Sequence, residues 1–321
     1  MQRPNGIIGD VARTRRSQRA IPIAVAWVVA TVAIVLVGRA SRVEACASCG
    51  CGDPTLTASG AELPYANRLR VTLDERYGSL SLGQGDDRER VQFLRSTLAV
   101  SWSPTRWLTL DAKLPWLTSF IGYGGAPDAL VNGLGDLELA GRVVLFRERD
   151  FAPHHLVSGS LGLKLPTGYA VRDATGALVS DDDQPGSGSW DPFAGISYAW
   201  LSGDLLSLFA STGVRYTTSG WHGYHRGMSV GASAMLQVQP KPWGAVQLGV
   251  DGVWLAADRF GDGRVAPDTG GTALYAAIGL LGRVRSDLLL RLLVDVPAVL
   301  VLDGHQTVGP QVSLSLSYDL R

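Results

Sequence analysis

From about residue 67 to its end, the chain alternates apolar and polar residues with a period of two, in segments of roughly 10 to 14 residues. The last segment is the plainest case: Val312, Leu314, Leu316, Tyr318 and Leu320 interleave with Ser313, Ser315, Ser317 and Asp319. Leu137, Leu139, Val143 and Leu145 alternate in the same way with Asp136, Glu138 and Arg142, and Val157, Leu161, Leu163 and Leu165 with Ser158, Ser160 and Lys164. Side chains of a strand point alternately to opposite faces, so each segment has one apolar and one polar face. At about 3.3 Å per residue, segments of this length cross a bilayer at a tilt and exceed the strands usual in soluble sheets.

The pattern predicts strands near 67–80, 90–102, 107–117, 135–146, 155–166, 190–201, 205–217, 226–238, 243–255, 270–282, 287–299 and 308–320. Short connections fall at 103–106, 147–154, 202–204, 239–242 and 283–286, and long ones near 81–89, 118–134, 167–189, 218–225, 256–269 and 300–307. Short turns on one side and long loops on the other are the layout of an outer-membrane barrel with an even strand number, and a soluble sandwich has no reason to segregate them. Trp102 and Trp200 stand at strand ends beside short turns, and Trp116, Trp190 and Trp254 beside long loops, all on the apolar parity. Aromatic girdles at the two membrane interfaces take that position. The expected fold is all-β: a transmembrane, antiparallel, up-and-down β-barrel of about 12 strands over residues 67–321, with both ends periplasmic.

The N-terminus carries a targeting segment. Arg13, Arg15, Arg16 and Arg19 precede an uncharged apolar run from Ile21 to Val37, and Val43 and Ala45 supply small residues at a cleavage site. Residues 1–45 read as a signal peptide and 46–66 as a Cys-containing periplasmic segment. The chain's three cysteines, Cys46, Cys49 and Cys51, sit in that segment. Their C-x-x-C-x-C spacing suits Cu(I) or Zn²⁺, while an oxidising periplasm favours a disulfide and Val-Glu-Ala-Cys leaves lipidation of Cys46 open. No other cofactor is expected.

The polar parity carries charges of both signs, expected to face the lumen: Arg68, Arg70, Asp74, Arg76, Arg95, Asp111, Lys113, Asp136, Glu138, Arg142, Lys164, Arg215, Asp251, Arg291 and Asp295. A charge on the lipid face costs about 2–4 kcal/mol at the midplane, which drives them inward. There they either pair into a network that fills the lumen or line a wet pathway. Gly159, Gly213, Gly231, Gly249 and Gly279 are read on the same parity and leave local space. His222 or His225 beside Asp181, Asp182 and Asp183 has the chemistry to activate a water, but no nucleophile spacing accompanies them and no catalytic residue is assigned. A formal net charge of +0, with no basic aromatic-laced face, excludes nucleic acid as a partner.

Asn132-Gly-Leu-Gly-Asp-Leu-Glu-Leu139, Gly162-Leu-Lys-Leu-Pro-Thr-Gly168, the run Gln184 to Tyr198 and Tyr224-His-Arg-Gly227 resemble the family labelled outer-membrane transporters of the meta-pathway of phenol degradation. The resemblance covers the barrel from about residue 67 onward and implies uptake of hydrophobic or aromatic compounds. It supplies no substrate-binding residues. The expectation is a bacterial outer-membrane channel for small solutes, in contact with the lipid bilayer, the barrel-assembly machinery and a periplasmic partner at the N-terminal segment. The alternative is a non-conducting barrel that anchors the Cys-rich segment for metal or redox contact.

Overall fold

A computed structural model describes residues 65–320, apart from 86–87, 125–127, 151–152, 173–177, 182 and 203–204. The expected signal peptide and the cluster of Cys46, Cys49 and Cys51 lie outside the described residues. The strands are β1 (Arg68–Leu82), β2 (Glu89–Ser103), β3 (Leu108–Tyr123), β4 (Ala129–Leu134), β5 (Leu137–Arg147), β6 (His155–Leu165), β7 (Asp191–Leu201), β8 (Leu206–Arg215), β9 (Ser229–Lys241), β10 (Gly244–Leu255), β11 (Gly271–Arg285), β12 (Leu288–Leu302), β13 (Gln306–Val308) and β14 (Gln311–Leu320).

All pair antiparallel, and β1 bonds to β2 on one side and to β14 on the other, so the sheet closes on itself. β4 and β5 both pair with β3 and form one interrupted wall strand; β13 and β14 relate to β1 in the same way. The result is a closed barrel of twelve wall strands. Closure leaves no edge, the condition for a sheet to stand in hydrocarbon.

Three expectations need correction. The stretch 118–134 is no simple loop: β3 runs on to Tyr123 and pairs with β4, from Trp116↔Leu134 to Ile121↔Ala129. Apolar residues keep the period there (Val131 and Ile121 are buried), while Thr118, Ser119 and Gly122 give the segment a loop-like composition. The strand expected at 135–146 begins only after a break at Gly135 and Asp136, where the Gly135 N–H donates to the Pro115 carbonyl at 2.9 Å. A Cβ on Gly135 would lie 2.9 Å from a Pro115 ring carbon. The strand expected at 308–320 is likewise split at 309–310.

The outer face is apolar. Leu161 is 72% exposed, and Ile278 and Leu248 about half exposed, as lipid-facing side chains must be in a barrel without its bilayer. Trp102, Trp190 and Trp254 are exposed near strand ends, joined by Trp107 and Trp243 in the short turns, whereas Trp116, expected at a strand end, is exposed in the middle of β3 because that strand runs on to Tyr123. Trp116 Nε1 donates to Asn132 Oδ1 at 2.5 Å, which gives the indole a polar anchor. Gly159 is another correction: it registers opposite Val143, on the lipid side, and Leu145 covers it. Glu75, also on the outward parity, accepts a hydrogen bond from Ser96 at 2.6 Å.

The inner face is less uniformly polar than the alternation predicts. Leu156, Ala199, Phe209, Met235, Ala277 and Leu293 point inward and form one buried cluster. Beside it, Gln237 and Gln247, fully buried and directly opposite in register, hydrogen-bond at 3.2 Å.

Ile278→Arg, at the middle of β11 on the lipid face, should lower barrel stability by about 2–4 kcal/mol. Ser211→Arg, on the inner face, should cost under about 1 kcal/mol. Urea unfolding titrations in phospholipid vesicles measure both.

Candidate functional site: the lumen and its outer mouth

Inward side chains of the wall enclose a cavity of about 770 Å³. Of the charges expected in the lumen, Asp74, Arg76, Arg95, Asp111, Lys113, Glu138, Arg142, Arg215 and Arg291 line it. Asp251 lines an adjoining pocket of about 480 Å³ that shares Arg142 and Arg215, and Asp295 is buried on β12. Arg70 lies elsewhere. With Arg68 it grips Asp319 of the last strand, each guanidinium meeting both carboxylate oxygens, at 2.7 Å for Arg70 and 3.0–3.1 Å for Arg68. Bidentate charge-assisted bonds of this kind are the stronger class and fix orientation.

Within the cavity part of the charge is paired. Arg142 meets Asp111 at 2.9 Å and Arg215 meets Glu138 at 2.7 Å. The Arg215 guanidinium also stacks 5.0 Å from the centre of the Phe193 ring. Arg291 donates to Gln247 at 3.1 Å and Arg76 to Ser313 at 3.1 Å, both neutral acceptors. Arg95 and Lys113 point inward yet remain exposed, so the space they face is open to water.

Asp136 and Lys164 belong to a different centre at the outer mouth. Lys164 Nζ forms ion pairs with Asp191 and with Asp136 (3.3 Å to the latter), and it contacts Ser187 and Ser189. Asp136 accepts from the Gly168 N–H at 3.0 Å, the Ser187 N–H at 2.7 Å and the Ser187 hydroxyl at 2.9 Å. Each of these side chains is less than about a tenth exposed. Gly168 and Gly186 make the approach possible, since a Cβ on Gly186 would lie 2.7 Å from Asp136 Oδ1 and 3.0 Å from the Gly168 Cα.

The cluster ties the long connection 166–190 to the barrel rim. Farther along that connection, Gln184 accepts from the Val171 N–H at 2.7 Å and donates to the Val179 carbonyl at 2.8 Å. This holds Val179 and Val171 against Val91, Ile121 and Val131. The connection 216–228 docks on the same place: the Trp221 N–H donates to the Ser187 carbonyl at 3.2 Å and Arg226 to the Gln184 carbonyl at 3.2 Å. Tyr224 donates to Asp258 at 2.7 Å, fastening the next connection. The four sequence motifs that carried the family resemblance thus meet in one buried network. Alternation does not single out Asp191, Ser187 and Gln184, because two are neutral and Asp191 sits at the junction of a loop and a strand.

His222 Nδ1 does meet Asp181, at 3.0 Å, on the exposed surface of these loops. His225 instead bridges backbone to Arg259. Among the described residues no group of three His, Cys, Asp or Glu side chains is arranged to hold a metal.

No family model and no curated protein matches the chain. Among solved structures, an outer-membrane channel from Pseudomonas putida F1 is similar with a TM-score of 0.64 and 14% identity, over 80% of this chain and 97% of that one. The transport unit of the autotransporter AIDA-I from Escherichia coli is similar with a TM-score of 0.50 and 10% identity, over 83% of this chain and 96% of that one. The likeness is one of architecture. A closed barrel with an apolar outer belt and aromatic girdles places the chain in the bacterial outer membrane.

Lys164→Met should leave Asp136 and Asp191 buried without their cation, at a cost of about 3–5 kcal/mol. Connection 166–190 should also be released. The expected readouts are a lower urea midpoint and faster protease cleavage within 166–190 on intact cells.

Proposed function

We propose that the barrel is a passive outer-membrane channel for small solutes. The observation that carries this reading is the internal cavity of about 770 Å³, whose wall presents exposed charged side chains to water inside a closed barrel. A barrel whose charges served only to fill its centre would pair them all, because an unpaired charge in a dry interior is costly. Small inward residues on β7, β8 and β9 keep that part of the wall thin: Gly195, Gly213 and Gly231 border the adjoining pocket. The loop network at the outer mouth fastens the connections to the rim, the part of a channel that sets which solutes reach the lumen.

The resemblance in the mouth motifs supports solutes with an aromatic or apolar body, and Phe193 gives such a body a ring to lie against inside the cavity. The chain's proposed role is passage without chemistry; its histidines and loop acids hold loops together.

Single-channel recording on the full-length barrel in planar bilayers tests this, with conductance expected. Ser160→Trp, on the inner face beside Arg142, should lower that conductance several-fold by filling the cavity. Absence of conductance in the wild-type protein would sink the channel reading and favour a barrel that anchors the segment bearing Cys46, Cys49 and Cys51.

A further inference from the structure

Among the side chains that line the cavity, Arg76, Arg95, Lys113, Arg142, Arg215 and Arg291 outnumber Asp74, Asp111 and Glu138. Arg76 of β1 and Arg95 of β2 are directly opposite in register and both point inward, so two guanidinium stems leave neighbouring strands side by side. Like charges placed directly across a strand pair destabilise the sheet unless something compensates them. The carboxylates near them have other engagements. Asp111 is taken by Arg142 and Glu138 by Arg215. Asp74 accepts from the neutral Ser315 hydroxyl and forms no ion pair with Arg76 or Arg95 among the described residues. Asp251 on β10 and Asp295 on β12 stand near enough to act electrostatically on Arg76, but neither forms an ion pair with Arg76, Arg95 or Lys113 among the described residues. Lys113, on β3, registers opposite Glu138 without reaching it as an ion pair, since Glu138 is held by Arg215.

We infer that Arg76, Arg95 and Lys113 form a binding site for the carboxylate of a small organic anion, whose apolar body rests against Phe193. Three features of the wall carry this. The first is the register-opposed arginine pair without a contacting carboxylate. The second is the exposure of Arg95 and Lys113 to the lumen, which leaves their donors free for a ligand. The third is the neighbourhood: Phe193 lines the same cavity, so a cationic patch and an aromatic ring face one space. Arginine suits this task because its planar fork offers two parallel donors to a carboxylate, while Lys113 adds a mobile point charge. An anion seated there would also relieve the repulsion between the two guanidinium groups.

The inference deepens the channel reading by naming its solute class: monoanionic, carboxylate-bearing and small enough for the cavity. Neutral aromatic molecules of the same size would lack the contact with the arginines and bind more weakly.

The test is equilibrium binding, which is independent of passage. Full-length barrel folded in detergent, its fold verified by heat-modifiable mobility, is titrated with benzoate and with benzyl alcohol and followed by ligand NMR line broadening. Benzoate is expected to bind at least about tenfold more tightly than benzyl alcohol, the effect of a charge-assisted contact. Arg95→Gln combined with Lys113→Gln should weaken benzoate by a similar factor and leave benzyl alcohol unchanged. Arg95→Lys, which keeps the charge and loses the fork, should retain part of the preference. Equal binding of the two ligands by the wild-type barrel, or a benzoate affinity unmoved in the double variant, would overturn the inference. Should the double variant fail to fold, the wild-type comparison of the two ligands decides alone. A barrel that binds benzoate but carries no current upholds the site and refutes the channel; one that conducts without preferring benzoate upholds the channel and refutes the site.

Discussion

In hydrocarbon there is no water to accept a backbone N–H or donate to a carbonyl, so every strand must have a neighbour on both sides. That constraint governs this molecule. β1 satisfies it by pairing with β2 along its full length and with β14 from Leu69↔Leu320 to Tyr77↔Val312. Asp319, clasped by Arg68 and Arg70, adds a side-chain fastening at the seam where the two ends of the barrel sequence meet. Once the sheet is closed, its two faces have no choice of surroundings. The outer one must be apolar, and almost all ionisable groups of the wall are confined to the space inside.

What that interior does with its charge differs with depth. Toward the short-turn side, Leu156, Phe209 and Met235 pack together and the Gln237–Gln247 pair is buried, which makes part of the lumen resemble an ordinary protein core. Around the middle, charged side chains meet water and only some are paired. At the outer mouth, Lys164 is enclosed by Asp136 and Asp191, and breaking such a buried arrangement leaves an uncompensated charge, a penalty of several kcal/mol. The rim network is therefore the more rigid part and the mid-lumen charge the more available part. A stiff entrance followed by a hydrated, charge-bearing chamber is a physical arrangement suited to selecting solutes.

Most of the architecture was legible in the sequence because a two-faced strand leaves a period of two, and a membrane barrel writes it twelve times over. Where that signal was diluted, the reading slipped. Thr118 and Ser119 hid the continuation of β3, whose partner β4 is short. Phe209 and Met235 break the alternation, because an apolar residue on the inner parity looks like noise in such a pattern, although both belong to the buried cluster around Leu156. Gly159 was misplaced because the residue has no polarity to reveal its side. The lumen charges were visible as a set, but their division was not. Periodicity tells which way a residue points and nothing about its height in the barrel, so Arg95, free in the cavity, and Lys164, locked at the rim, looked alike. The partners that separate them, Ser187 and Asp191, come from a connection whose path alternation does not describe.

The pairing of Arg70 with Asp319 joins residues 249 positions apart, and it has a consequence in time. Hairpins such as β9–β10 bring near neighbours together and can form early, whereas the seam between β1 and β14 cannot exist until the last strand has been made. Contacts so distant in sequence are slow to form because the intervening chain must first be ordered. Throughout that interval β1 carries an unpaired edge, the kind of surface on which strands of other molecules add. The first strand of this barrel is thus the last to be completed, and the chain is most vulnerable to aggregation at the strand with which its folded wall begins.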